Sequence, residues 1–182
     1  ESQTSVLFDD AVGDGLWGTA GNWSTGVVPA GAVHAMVGDA QVATLSSNAP
    51  AVNAITVGSN GTLVIQAVLT TAVFTVEGQG TLKLDLEMTG FQPLSISDSV
   101  TFESAAQLII DGTVYEGFDG YFPLIQSSNL PPGITNATFI GLDDREPALL
   151  IESDGLWLRL VAPPALSERL CSLVPESTVE PA

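Results

Sequence analysis

"TVGSNGTLVIQ" (residues 56–66) is followed nineteen positions later by "TVEGQGTLKLD" (75–85), with Thr, Val and the central Gly-Thr-Leu recurring in register. A third, looser copy, "TFESAAQLIID" (101–111), lies 26 positions beyond the second. Each copy is a short apolar-alternating run, a turn, and a second alternating run, the period-two pattern of half-buried strands. A repeat of this length is one supersecondary unit that hides its apolar face only by stacking on its neighbours. The inward positions are expected to be Val57, Leu63 and Ile65, then Val76, Leu82 and Leu84, then Phe102, Leu108 and Ile110.

The surrounding sequence fits that unit. From Val33 to Tyr115 the chain is a series of short alternating runs separated by Gly-Asp, Ser-Asn-Gly, Gly-Gln-Gly and Ser-Ala-Ala, with no sustained helical period. The expected fold is all-β: a short right-handed parallel β-helix (β-solenoid) with a loop cap and a C-terminal β-hairpin. A β-sandwich accommodates the same strand and turn signals and stands as the alternative.

The expected organisation has four parts. Residues 1–32 form an N-terminal arm and a Gly-punctuated cap holding Trp17 and Trp23; residues 33–115 are the stacked strands. Residues 116–164 supply closing strands and a hairpin, signalled by Asp154-Gly155 between alternating runs, which would hide the last edge strand. Residues 165–182 are a tail, starting as a short helix over 165–173 and becoming rich in Pro, Glu and Ser.

Composition narrows the function. Of 182 residues, 21 are acidic and 4 basic, a formal net charge of −17. That argues against nucleic acid or an anionic membrane as partner, since both require Lys and Arg. No run approaches the roughly 18 apolar residues of a membrane span, so membrane insertion is not expected. The opening "ESQTSVLFDD" lacks a basic, apolar leader and reads as an end left by signal cleavage. The single cysteine, Cys171, makes no internal disulfide and reads as a small apolar residue of the tail helix or an intermolecular bridge.

Trp-x-x-x-x-Asn-Trp (17–23), a following Pro29 and the Gly-Thr-Leu repeats together resemble bacterial exported and surface β-helix proteins of the autotransporter-like and PEP-CTERM type. The likeness spans roughly residues 12–162. It implies an exported structural, adhesive or matrix role, and it carries no catalytic residues with it.

Catalytic chemistry is sparsely supplied. His34 is the only histidine, in the apolar run "AVHAMV", and reads as a strand residue. Lys83, Arg145, Arg159 and Arg169 are the whole cationic supply. No catalytic residue is assigned, and the chain reads as a non-enzyme. Calcium is the one cofactor the pattern suggests. Glu77 and Glu103 share a repeat position, as do Asp85 and Asp111, so stacking would set each pair about 4.8 Å apart. Like charges that close invite a hard cation. Asp9-Asp10 and Asp143-Asp144 are further acidic pairs. Trp17, Trp23 and Trp157, with Tyr115 and Tyr121, are candidate platforms for carbohydrate. Asn22, Asn60 and Asn136 head Asn-x-Ser/Thr sequons and would carry glycans in a eukaryotic secreted chain.

The expectation is therefore an extracellular structural or adhesive surface protein that self-assembles into a filament or matrix, with a carbohydrate-binding module as the alternative. The expected partner is another copy, joined through edge strands and termini, with "ESQTSVLF" and "STVEPA" as the segments free to add a strand.

Overall fold

The computed structural model describes residues 3–86, 94–115, 119–131, 134, 137–142 and 145–161. Cys171, Arg169, Asn136, Asp143-Asp144, the expected helix over 165–173 and the "STVEPA" end lie outside these residues.

Among the described residues the protein is all-β, with 3-10 conformation at Ala20–Asn22 and at Ile134 and no α-helix. The strands are β1 (Thr4–Phe8), β2 (Gly31–Val37), β3 (Val42–Leu45), β4 (Val52–Val57), β5 (Thr62–Ile65), β6 (Thr70–Val76) and β7 (Thr81–Asp85). They continue as β8 (Leu94–Phe102), β9 (Gln107–Asp111), β10 (Gly120–Gln126), β11 (Ala137–Ile140), β12 (Glu146–Glu152) and β13 (Gly155–Val161). The larger sheet has the order β1-β2-β4-β6-β8-β10-β13-β12, and the smaller β11-β9-β7-β5-β3. From β2 to β11 consecutive strands alternate between the sheets, so strands two apart in sequence become parallel neighbours. Only the last hairpin breaks this: β13 runs antiparallel to both β10 and β12.

The repeat sets the register. Val57 pairs with Val76 and Val76 with Phe102 in the larger sheet. Leu63, Leu82 and Leu108 align in the smaller one, as do Ile65, Leu84 and Ile110. Eight of these nine residues are buried and Phe102 packs half-buried against the same cluster. Residues from both sheets share that one apolar core, each buried large side chain contributing about 1.5–3 kcal/mol of transfer free energy. The unequal spacing of 19 and 26 also has a structural account. Ser95 faces Thr70 while Leu84 faces Ile65, so the second crossing between sheets is six residues longer. The seventh extra residue is a bulge in β8, where the pairing jumps from Thr71–Ile96 to Val73–Ser99.

The turns stack as well. Residues 38–41, 58–61, 77–80 and 103–106 each close with an N–H donated back three residues. Their third residues, Ala40, Asn60, Gln79 and Ala105, all have positive φ, between 57° and 74°. Gly61 and Gly80 occupy the fourth position for a steric reason. A Cβ on Gly80 would meet the carbonyl oxygens of Gly58 and Val57 at 2.9 and 3.0 Å, and one on Gly61 would meet that of Gly38 at 2.8 Å. That close approach is why Gly-Thr-Leu recurs.

The N-terminal end is covered in part by the cap. In the smaller sheet, Trp17 N–H donates to Thr44 and Thr44 N–H to Gly15, covering the edge of β3. On the larger sheet, Ser24 N–H donates to Leu7, and Asp9 and Asp10 N–H donate to Asn22. "TSVLF" is thus committed to β1, paired in parallel with β2. This corrects the expectation that the N-terminal segment is free to add a strand to another subunit. At the other end the hairpin turns on Ser153-Asp154, with Glu152 opposite Gly155. It extends the larger sheet and leaves β12 as a new edge, so the expected concealment of the last edge strand does not occur.

Candidate functional site

The two carboxylate pairs expected to invite calcium behave differently. Asp85 and Asp111 are register partners on β7 and β9. Their counter-charge is supplied by the chain itself: Lys83 Nζ lies 3.0 Å from Asp85 Oδ1 and 2.8 Å from Asp111 Oδ2. Lys83 and Asp85 are two residues apart on one strand and therefore share a face. Gln66, one strand further along the same row, donates from Nε2 to Asp85 Oδ2 at 2.9 Å. The Thr113 hydroxyl and N–H both donate to Asp111 Oδ1. Gln66, Asp85, Leu86, Asp111, Thr113 and Val114 line a recess of about 290 Å³ beside this row.

The electrostatics follow from those contacts. The hydrogen bond to Asp111 raises the Lys83 pKa above its ordinary value against a smaller opposing effect of burial. Burial alone would raise Asp111, but its bonds from Lys83 and Thr113 outweigh it and hold the carboxyl below the usual range. At neutral pH, Lys83 keeps its proton and Asp111 has none to give. Neither group is poised for proton transfer, which needs a pKa near the working pH. The arrangement is an interstrand charge clamp.

Glu77 and Glu103 open two consecutive stacked turns. Glu103 Oε2 accepts the Gly78 N–H at 3.0 Å, tying one turn to the next. Asp9 and Asp10, the other acidic pair described, accept the N–H groups of Ala11 and Gly15. Among the described residues no group of three or more His, Cys, Asp or Glu side chains converges as a metal site.

The tryptophans separate into two kinds. Trp17 and Trp23 are 0% and 2% exposed, so neither offers a ring face to a sugar, contrary to their candidacy as platforms. They pack edge to face at 4.7 Å, with Phe8 against Trp23 at 5.1 Å, and Trp23 Nε1 donates to the Trp17 carbonyl at 2.7 Å. They plug the end of the core, the usual use of bulky aromatics in a loop that closes an apolar interior. Trp157 is half-buried on β13, its Nε1 donating to Asp154 at 3.0 Å. Tyr115 is engaged by Phe122 edge-on and by the Arg145 guanidinium 5.7 Å above its ring.

Asn22, expected as a glycan acceptor, is fully buried. Its Nδ2 donates to Asp14 and the Leu16 carbonyl, and its Oδ1 accepts from Val12. A glycan on Nδ2 would break both donor contacts, so this asparagine is a linchpin of the cap. Asp14 also accepts from Leu16 N–H and the Thr19 hydroxyl; these bonds, led by the one from Leu16, hold its pKa down. Asn60 is exposed on its turn, donating to Asp39 at 3.3 Å. His34 is a half-buried strand residue within 2.8 Å of the Thr56 hydroxyl.

Two features escaped the reading of the sequence. Lys83 stands in the sequence only as one of four cations, although its i, i+2 spacing from Asp85 is a signal for the clamp. Tyr121 and Arg159 come together only through the antiparallel register of β10 and β13, which no local pattern reveals. No family model matches the chain, nor does any curated protein or solved structure.

Proposed function

We propose that the chain is a short right-handed parallel β-helix acting outside the cell as a structural or adhesive surface protein, and that it joins further copies through its C-terminal sheet edges. The parallel, in-register alternation of strands between two sheets supports the β-helix over a sandwich of hairpins, and strand twist favours right-handed crossovers. The exported setting rests on the resemblance in the cap and the Gly-Thr-Leu repeats.

The difference between the two ends carries the assembly reading. The N-terminal end is bonded over by residues 15–17 and 22–24, whereas β11 and β12 lie at the outer edges of their sheets at the other. Edge strands are templates for pairing with another chain. Ile140 on β11 and Ile151 on β12 are 40% and 42% exposed there. Pro147, which lacks an N–H, and acidic residues at both ends of β12 limit how such pairing can proceed. Calcium enters this proposal as a counter-ion between acidic copies.

Negative-stain electron microscopy and sedimentation velocity, across a concentration series with and without calcium, test the reading. The expected result is concentration-dependent assembly that I140K and I151K, each adding a charge to an edge, abolish without loss of folding. A protein that stays monomeric throughout, or an assembly indifferent to both variants, would overturn it.

A further inference from the structure

The last three strands of the larger sheet carry an outer face that the charge clamp and the cap do not involve. Leu156, Leu158 and Leu160 of β13 are fully buried, so strand alternation turns Trp157 and Arg159 the other way. Across the ladder Arg159 is flanked by Tyr121 and Ala148, and Trp157 by Pro123 and Leu150. These six side chains make two adjacent rows on one face. Tyr121 is 62% exposed. The Trp157 indole is fixed by its bond to Asp154, so a platform is already oriented before any ligand arrives.

Arg159 is unusual among the cations. Lys83 and Arg145 are held by carboxylates, while Arg159 forms no ion pair among the described residues, and its Nε is buried without an acceptor. A chain with 21 acidic residues has left a guanidinium between aromatic and apolar neighbours.

We propose that this face binds a neutral polysaccharide, with sugar rings stacking on Tyr121 and Trp157 and hydroxyl oxygens accepting from the terminal nitrogens of Arg159. A pyranose has the matching duality: an apolar C–H face for the rings and hydroxyl acceptors at its rim. The net charge of −17 selects among occupants. It repels a polyanion, and leaves an uncharged polyol unopposed. This site does not depend on the assembly proposed above, since Ile140 and Ile151 lie off this face.

Affinity gel electrophoresis in gels containing xyloglucan, mixed-linkage β-glucan, xylan or galactomannan, with polygalacturonate as the acidic counterpart, tests it. Retardation is expected in at least one neutral gel, weakened tenfold or more by Y121A and by W157A, and several-fold by R159K, which keeps the charge and loses the planar fork. Y121A removes an exposed ring and keeps the fold; near-ultraviolet circular dichroism verifies this for each variant. I140K and I151K should still bind, which separates this result from any failure of assembly. Retardation in no neutral gel, retardation by polygalacturonate alone, or retardation unchanged in Y121A and W157A would overturn the proposal. So would a dimer that Y121A dissolves, because the face would then belong to a second copy.

Discussion

Asp85 faces Asp111 across β7 and β9, and the Lys83 ammonium rests between their carboxylates, 3.0 and 2.8 Å from the nearest oxygens. Two like charges one strand apart are tolerated because the neutralising charge comes from the same strand as one of them. Replacing Lys83 by Met should cost about 1–2 kcal/mol, in the range for charge-assisted hydrogen bonds that are partly solvated. It should also create a demand for an external cation. The melting temperature of K83M is expected to rise on adding calcium, and that of the wild type to respond less. Equal responses would mean that the clamp does not govern cation sensitivity.

The same clamp sets an acid limb of stability. The folded-state pKa of Asp111 lies below its unfolded value, so its contribution is fully present above the unfolded pKa of about 3.9 and is lost as pH falls through the lower, folded value. Urea denaturation between pH 2 and 6 should show D111N less stable than wild type at pH 6, with the gap closing in the acid. A gap that persists at pH 2 would assign the loss to packing.

The stacked turns hold strain that can be relieved. Gln79 and Ala105 have φ of 68° and 74°, a region that costs non-glycine residues about 1–2 kcal/mol. Q79N and A105G should each stabilise by about 0.5–1 kcal/mol, the glycine gain being reduced by unfolded-chain entropy. G80A should lose about 1–3 kcal/mol, because its methyl would press on backbone oxygens that cannot swing away. Thermal melts of the three variants decide it, and a neutral G80A would refute the close-approach account.

The two cap tryptophans should differ although both are buried. Trp23 Nε1 has an acceptor in the Trp17 carbonyl, whereas Trp17 Nε1 has none among the described residues. W23F orphans a buried carbonyl at about 1–3 kcal/mol beyond the lost ring area, while W17F discards a donor that was already unsatisfied. Chemical denaturation should find W23F less stable than W17F by at least about 1 kcal/mol.

What could be read from the chain depended on range. The pairings Val57–Val76–Phe102 and Leu63–Leu82–Leu108 were legible because strand period and repeat offset are local properties, and burial follows from them. The shared positions of Asp85 and Asp111 were legible for the same reason. The ammonium between them was not, since choosing an internal over an external counter-ion requires side-chain distances. Likewise Trp17 and Trp23 could be sugar platforms or a plug, and only the fold of residues 9–24 over the strand edges decides between an exposed and a buried ring. Asn22 shows the limit most clearly: its three-residue sequon describes an exposed acceptor, while its position beneath the cap makes it a three-way hydrogen-bond hub.

The in-register equivalence of Thr56 with Thr75 and Val57 with Val76 has a consequence for how such a chain changes over generations. Excising the nineteen residues from Val57 to Thr75 would join Thr56 directly to Val76, a residue that already sits where Val57 sat. Copying the same nineteen would insert another layer between matching surfaces. The height of the molecule is therefore an adjustable dimension, open to recombination in whole steps, while the lid at one end and the hairpin at the other stay as they are.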